Sequence, residues 1–221
     1  MMTSAARDDR EQGDSAKSKV IGIIIFNDFE TLDVFGPVQM WGRLPSHRLI
    51  FISPDGRPAR SAQGAVIEAN HSFENAPQLD VLMVPGGMGT RKLANDPALL
   101  AFVRKQHQQT SWTTSVCTGA AILARAGVLD GRRATTNKVA FDWVAGQSEK
   151  VCWIGSARWV IDGKLITSSG VSAGTDMALS LVTELYGQEA AEEAAAVAEY
   201  RWNDDPDNDP FAVTTKYSPP R

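Results

Sequence analysis

Val20-Ile21-Gly22-Ile23-Ile24-Ile25-Phe26 contains no polar residue and is mostly β-branched. A strand with one wet face alternates apolar and polar residues. A run apolar on both sides needs cover on both faces, as in a parallel sheet. Asp80-Val81-Leu82-Met83-Val84 repeats the pattern, and Trp112 to Val116 gives a further strand. Helix-forming stretches fall between and after them: Asp33 to Leu44, Asp96-Pro97 to about His107, Ala120 to Ala126, Ser172 to Tyr186 and Gln188 to Tyr200. Asp96 reads as an N-cap with Pro97 at the first helical position, whereas Pro37 is tolerable only in a first turn. Strands alternating with helices predict an α/β fold, a doubly wound, mostly parallel sheet with helices on both faces.

Arg48 to Ser53 and Ala62 to Ala69 are expected as second and third strands, and Gly131 to Thr136 as a short one before a helix at Lys138 to Ala145. Val151 to Ile161 and Lys164 to Thr167 should pair antiparallel around the Asp162-Gly163 turn. Residues 1–19 read as a flexible tail, 20–202 as a single domain, and 203–221 as an acidic, proline-broken tail or surface wrap. A formal charge of −4 with no Lys/Arg block argues against a nucleic-acid partner. No run approaches the roughly 20 apolar residues of a membrane span, and the polar N-terminus is no secretory signal. Two cysteines make no disulfide framework, so a cytoplasmic setting is expected.

Ligands of such sheets bind beyond the carboxyl ends of the strands. Those ends carry Asn27, Asp28, Glu30 and Asp33; Gly86, Gly87 and Met88; Cys117 and Thr118; and Ser168, Ser169 and Gly170. Cys117 stands where an apolar strand gives way to a helix. That sharp turn should expose its sulfur at a helix N-terminus, where the thiolate is favoured. Cys152, inside a Val-Cys-Trp-Ile strand, lacks that context, so Cys117 is expected as the reactive thiol. Gly86 and Gly87 leave room for backbone N–H groups to approach an anion. His47 and His107 fall on the opposite sheet edge, His71 stays open, and Thr118 follows the cysteine, so a Cys–His–acid triad is not expected. Asp28 and Glu30 read as solvated loop charges. Asp33, between apolar neighbours at a helix start, is either an N-cap or a carboxyl raised in pKa that delivers a proton to the cysteine centre.

Phe-x-x-x-x-x-Leu-Asp-x-x-Gly-Pro, Asp-Val-Leu-Met-Val-Pro-Gly-Gly-Met-Gly and Thr-Ser-Val-Cys-Thr-Gly-Ala, with Gly-Arg-Arg-Ala-Thr-Thr, together resemble the ThiJ/PfpI superfamily from about Val20 to Tyr200. Leu-Asp-x-x-Gly-Pro with Cys-Thr-Gly is similar to its isocyanide hydratase branch. The aspartate of that branch, where the glyoxalase/deglycase branch has glutamate, falls on Asp33. The resemblance implies a flavodoxin-like sandwich, a homodimer, Cys117 as nucleophile, Asp33 as its carboxyl partner, and backbone N–H groups of Gly87 and Thr118 around the reacting atoms. Met88 and Gly170 are expected beside them as substrate-contacting positions. Relatives often place a histidine where this chain has Asn137.

The expected activity is a cofactor-free lyase that hydrates an isocyanide to an N-substituted formamide. No His/Cys/carboxylate cluster has metal-ligand spacing. Two alternatives stand beside it: a glyoxalase or deglycase acting on α-oxoaldehydes, and a non-catalytic ligand- or redox-sensing domain. Related sensor domains are fused to helix-turn-helix regulators. The short stretch after the last predicted helix is expected to leave no room for such a module.

Overall fold

The computed structural model describes residues 18–212, so the expected N-terminal tail lies almost wholly outside the described residues. Eleven strands are described: β1 (Lys19–Ile24), β2 (His47–Ser53), β3 (Ala59–Arg60), β4 (Val66–Ile67), β5 (His71–Ser72), β6 (Val81–Val84), β7 (Trp112–Ser115), β8 (Arg133–Ala134), β9 (Cys152–Trp153), β10 (Trp159–Asp162) and β11 (Leu165–Ser168). The helices are α1 (Thr31–Trp41), α2 (Thr90–Leu93), α3 (Pro97–Gln109), α4 (Gly119–Arg125), α5 (Phe141–Ala145), α6 (Ala173–Tyr186) and α7 (Gln188–Val197).

The main sheet runs β10-β11-β7-β6-β1-β2-β5. Every pairing in it is parallel except the β10–β11 hairpin. From β1 the chain moves outward to β2, and from β6 it moves the other way to β7. With right-handed crossovers that reversal puts α1 on one face and α3 on the other. The packing agrees: α6 touches both α1 and α7, and α3 touches α4. Ile21, Ile23, Ile24 and Ile25 are fully buried between these layers, each contributing roughly 1.5–3 kcal/mol of burial free energy. The reversal opens a crevice between the carboxyl ends of β1 and β6, next to that of β7.

Asp96 caps α3 as its sequence predicts, accepting from the N–H groups of Ala98 and Leu99 at 2.9 Å each. Three expectations need correction. Ala62 to Ala69 does not join the main sheet; β3 and β4 form a separate two-residue hairpin, because Gly64 turns with φ +95° and Ser61 ties off the loop by accepting from Ala65 N–H. Val151 to Ile161 is not one strand, since β9 pairs with β8 while β10 alone joins β11. Pro37 lies in the second turn of α1, not the first. Its missing N–H and ring strain are local costs. They are outweighed by packing on α6, where Trp41 Nε1 donates to Ala178 O at 2.9 Å.

Residues 203–212 run against the domain. Arg158 N–H donates to Pro206 O at 2.7 Å, and Asp209 is buried. Among the described residues no helix is long and apolar enough to cross a membrane.

Candidate active site

Cys117 follows β7 and has φ +56°, a left-handed conformation that costs a non-glycine residue about 1–3 kcal/mol. Neighbouring segments hold it there. Its N–H donates to Ser169 O at 3.1 Å, and its carbonyl accepts from Thr136 Oγ1 at 2.7 Å. Gly86 makes the turn possible from the β6 side. A Cβ there would stand 2.5 Å from Thr118 N and 2.8 Å from Cys117 Cβ. The elbow inferred from the sequence is thus present, yet Cys117 is only 5% exposed. The expected exposure is corrected: the segments at Gly86, Thr136 and Ser169 close on the elbow.

Asp33 is not the cap of α1. The N-cap position is Glu30, which makes no side-chain cap bond, and Asp33 lies in the first turn. Its side chain is fully buried. Oδ2 accepts from Gly86 N–H at 2.8 Å, while Oδ1 has no hydrogen-bond partner among the described residues. Burial pushes the Asp33 carboxyl well above the usual range, against the Gly86 N–H that favours its anion, and the Glu30 charge raises it further. Burial also pushes the Cys117 thiol up, followed by repulsion from Asp33; the N–H of Thr118 and the amide of Asn137 work the other way. The helix-end stabilisation of a thiolate expected from sequence is therefore outweighed by desolvation. Cys117 in its turn works to lower Asp33, so the two side chains titrate as a pair.

Thr118 and Gly87 lie together. Gly87 N–H donates to Thr118 Oγ1 at 3.0 Å, and Thr90 Oγ1 lies 3.0 Å from the same oxygen. Gly87 has φ +122°, and a Cβ there would meet the backbone of Asp28 to Glu30. Gly170 faces Asn137, whose amide nitrogen occupies the space a side chain would need. Met88 points outward at 64% exposure and lines a cavity of about 420 Å³ with Phe26, Asn27, Asp28 and Lys92. Glu30 is half-buried and accepts from Gln63 Nε2 at 2.8 Å; it is not the solvated charge expected. Thr136, which holds the Cys117 carbonyl, went unpredicted, and Asn137 was marked only as standing where relatives often place a histidine.

His71 is now placed. It lies in β5 at the edge of the sheet, four strand positions from β7, roughly 19 Å at about 4.8 Å per strand. His47 and His107 open β2 and close α3 at the amino-terminal edge. Among the described residues no cluster of three or more His, Cys, Asp or Glu side chains could hold a metal ion.

Cys152 is exposed and Cys117 buried, which reverses the expected order of labelling by bulky reagents. A dye-linked maleimide should modify Cys152 first, read by peptide mass. Faster labelling of Cys117 would show that the loops over it open readily.

A model of the DJ-1/PfpI family matches residues 19–184. An isonitrile hydratase of Pseudomonas putida is 37% identical over 81% of this chain and 78% of its own length. The transcriptional regulator CdhR of Pseudomonas aeruginosa is 32% identical, over 66% of this chain and 43% of its own. Among solved structures, a ThiJ/PfpI family protein from Pseudomonas syringae superposes with a TM-score of 0.77 at 32% identity, covering 98% of this chain and 88% of that one. Drosophila melanogaster DJ-1beta, at 21% identity over 84% of this chain and 100% of its own, shares the fold with a TM-score of 0.74. On its sequence and its fold alike, the chain belongs to the DJ-1/PfpI family.

Proposed function

We propose that the protein is a cysteine-dependent isocyanide hydratase. The observation that carries this reading is the buried Asp33 carboxyl paired with the buried Cys117 thiol, with no histidine beside them. An isocyanide carbon is both electrophilic and basic once attacked, so it needs a nucleophile and an acid at the same atom. As the Cys117 sulfur attacks the terminal carbon of R–N≡C, its S–H bond breaks and that proton passes to Asp33 while the Asp33 proton passes to the carbon, giving the thioimidate R–N=CH–S–Cys117. Water adds to the carbon as the nitrogen is protonated. Collapse breaks the C–S bond, releasing R–NH–CHO and returning the thiol and the carboxyl. The 37% identical isonitrile hydratase supports the substrate class. We place the reaction in a cytoplasmic homodimer, with the Thr118 N–H and Gly170 bordering the substrate; Met88, which lines a separate outer cavity, and Gly87, whose N–H is taken by Thr118 Oγ1, do not.

Incubation with an aryl isocyanide should yield the formamide at a rate that falls to background in Cys117→Ala. A parallel incubation with methylglyoxal tests the α-oxoaldehyde reading, favoured by the 30% identity to Drosophila melanogaster DJ-1alpha. Turnover of methylglyoxal alone would replace the hydratase reading. Turnover of neither would favour a sensing role for Cys117.

A further inference from the structure

The stretch Thr135-Thr136-Asn137-Lys138 touches the cysteine on one side and a buried group of charges on the other. Thr136 holds the Cys117 carbonyl, and the Asn137 amide lies at the thiol, where it favours the ionised form. Asn137 Oδ1 is taken up by Ala140 N–H at 2.9 Å, and its NH₂ group lies against Gly170, where an added Cβ would clash with Nδ2. Lys138 turns the other way. Its Nζ donates to Thr135 Oγ1 at 2.8 Å and Ala157 O at 2.6 Å, and lies 3.6 Å from Asp209 Oδ2.

Asp209 comes from the acidic C-terminal segment, and its side chain is wholly buried. Oδ1 accepts from Phe211 N–H at 3.0 Å and stands 3.9 Å from Arg158. Oδ2 has no hydrogen bond among the described residues, so the Lys138 ammonium is its nearest compensation. Arg158 is already committed to Asp176, with Nε 2.7 Å from Oδ2. Two cations and two anions are thus closed off from water, where removing one partner strands another.

We propose that Asp209 is a positioning residue for the cysteine centre: by holding Lys138 it fixes the backbone from Thr135 to Lys138, which keeps the Thr136 hydroxyl on the Cys117 carbonyl and the Asn137 amide in the cysteine site. The inference rests on Cys117 being the reactive group but not on any substrate. A test by alkylation therefore leaves the hydratase reading standing if it fails.

Asp209→Asn keeps the size and the Phe211 contact while removing the charge. The rate of Cys117 alkylation by iodoacetamide would be followed against pH in the full chain, by peptide mass, alongside Tm. Displacing the amide that favours the ionised sulfur should slow alkylation at pH 8 by about tenfold and move the midpoint up by about one pH unit. In an Asn137→Ala background the same substitution should add no further shift. An unchanged midpoint with a lowered Tm would show that the segment is only structural. An equal shift in the Asn137→Ala background would show that Asp209 acts by another route; either result overturns the proposal. Should Asp209→Asn not fold, the neutral pair Lys138→Gln with Asp209→Asn strands no charge. It should show a smaller upward shift, and no shift there overturns the proposal equally.

Discussion

Asp33→Asn is expected to fold like the parent and to lose isocyanide turnover by roughly the 10²–10⁴ that a positioned acid–base group contributes. The amide oxygen can still accept from Gly86 N–H, which now meets Asp33 Oδ2 at 2.8 Å, but the amide holds no transferable proton. Helix capping does not enter, because Glu30 and not Asp33 stands at the cap of α1. The same variant has a signature in stability. A carboxyl whose folded pKa is raised, as burial raises Asp33, stabilises fully below its unfolded value. That contribution is lost as pH rises through the folded value. The parent should therefore lose Tm with rising pH above about 4, and Asp33→Asn should show a flatter profile. Near-parental turnover in Asp33→Asn would mean the proton comes from water, since His71 sits at the far edge of the sheet.

Asp176→Ala should destabilise the fold by about 3–5 kcal/mol, the cost of stranding a buried partner. Asp176 is fully buried. It binds Arg158, accepts from Tyr200 Oη at 2.9 Å, and accepts from Asn203 N–H at 3.1 Å. Burial and this neighbouring anion push the Tyr200 phenol up to about 12. Losing the carboxylate leaves Arg158 with only Asp209 at 3.9 Å and frees the anchor of the C-terminal segment. Urea unfolding measures the loss directly. Removing both charges, Arg158→Met with Asp176→Leu, should cost much less, because no ion is left alone. A loss below about 1 kcal/mol in Asp176→Ala would place the pair among weak surface-like bridges.

These two residues differ in how far their sequence context spoke for them. Asp33 was visible because an acid between Leu32 and Val34, just past an apolar strand, is out of place unless it is buried for a reason. Asp176, within Ala173–Tyr186, carries no such mark; one acid in a helix first turn reads as ordinary dipole chemistry. Its partners Arg158, Tyr200 and Asn203 are scattered along the chain, and no local pattern joins them. The same holds at the cysteine. Pro85-Gly86-Gly87 and Ser115-Val116-Cys117-Thr118-Gly119 announce tight turns, because only small residues fit where Gly86 meets Thr118. Nothing near Cys117 in sequence announces Asn137 or Glu30.

By itself the sequence determined the parallel sheet, the Asp96 cap of α3 and the elbow at Cys117. It also brought Asp33 to the same edge of the sheet. Side-chain periodicity, turn residues and strand ends are properties of neighbours along the chain. Tertiary structure alone decided that Cys117 is buried, that its thiol and the Asp33 carboxyl are both raised, and that Cys152 is the exposed one. It also decided that Pro37 is accommodated inside α1 and that Asp209 closes a charge cluster behind Asn137. Desolvation and Coulomb interactions sum over everything nearby in space, and around Cys117 that means segments near residues 30, 86, 137 and 169, which only the folded sheet brings together.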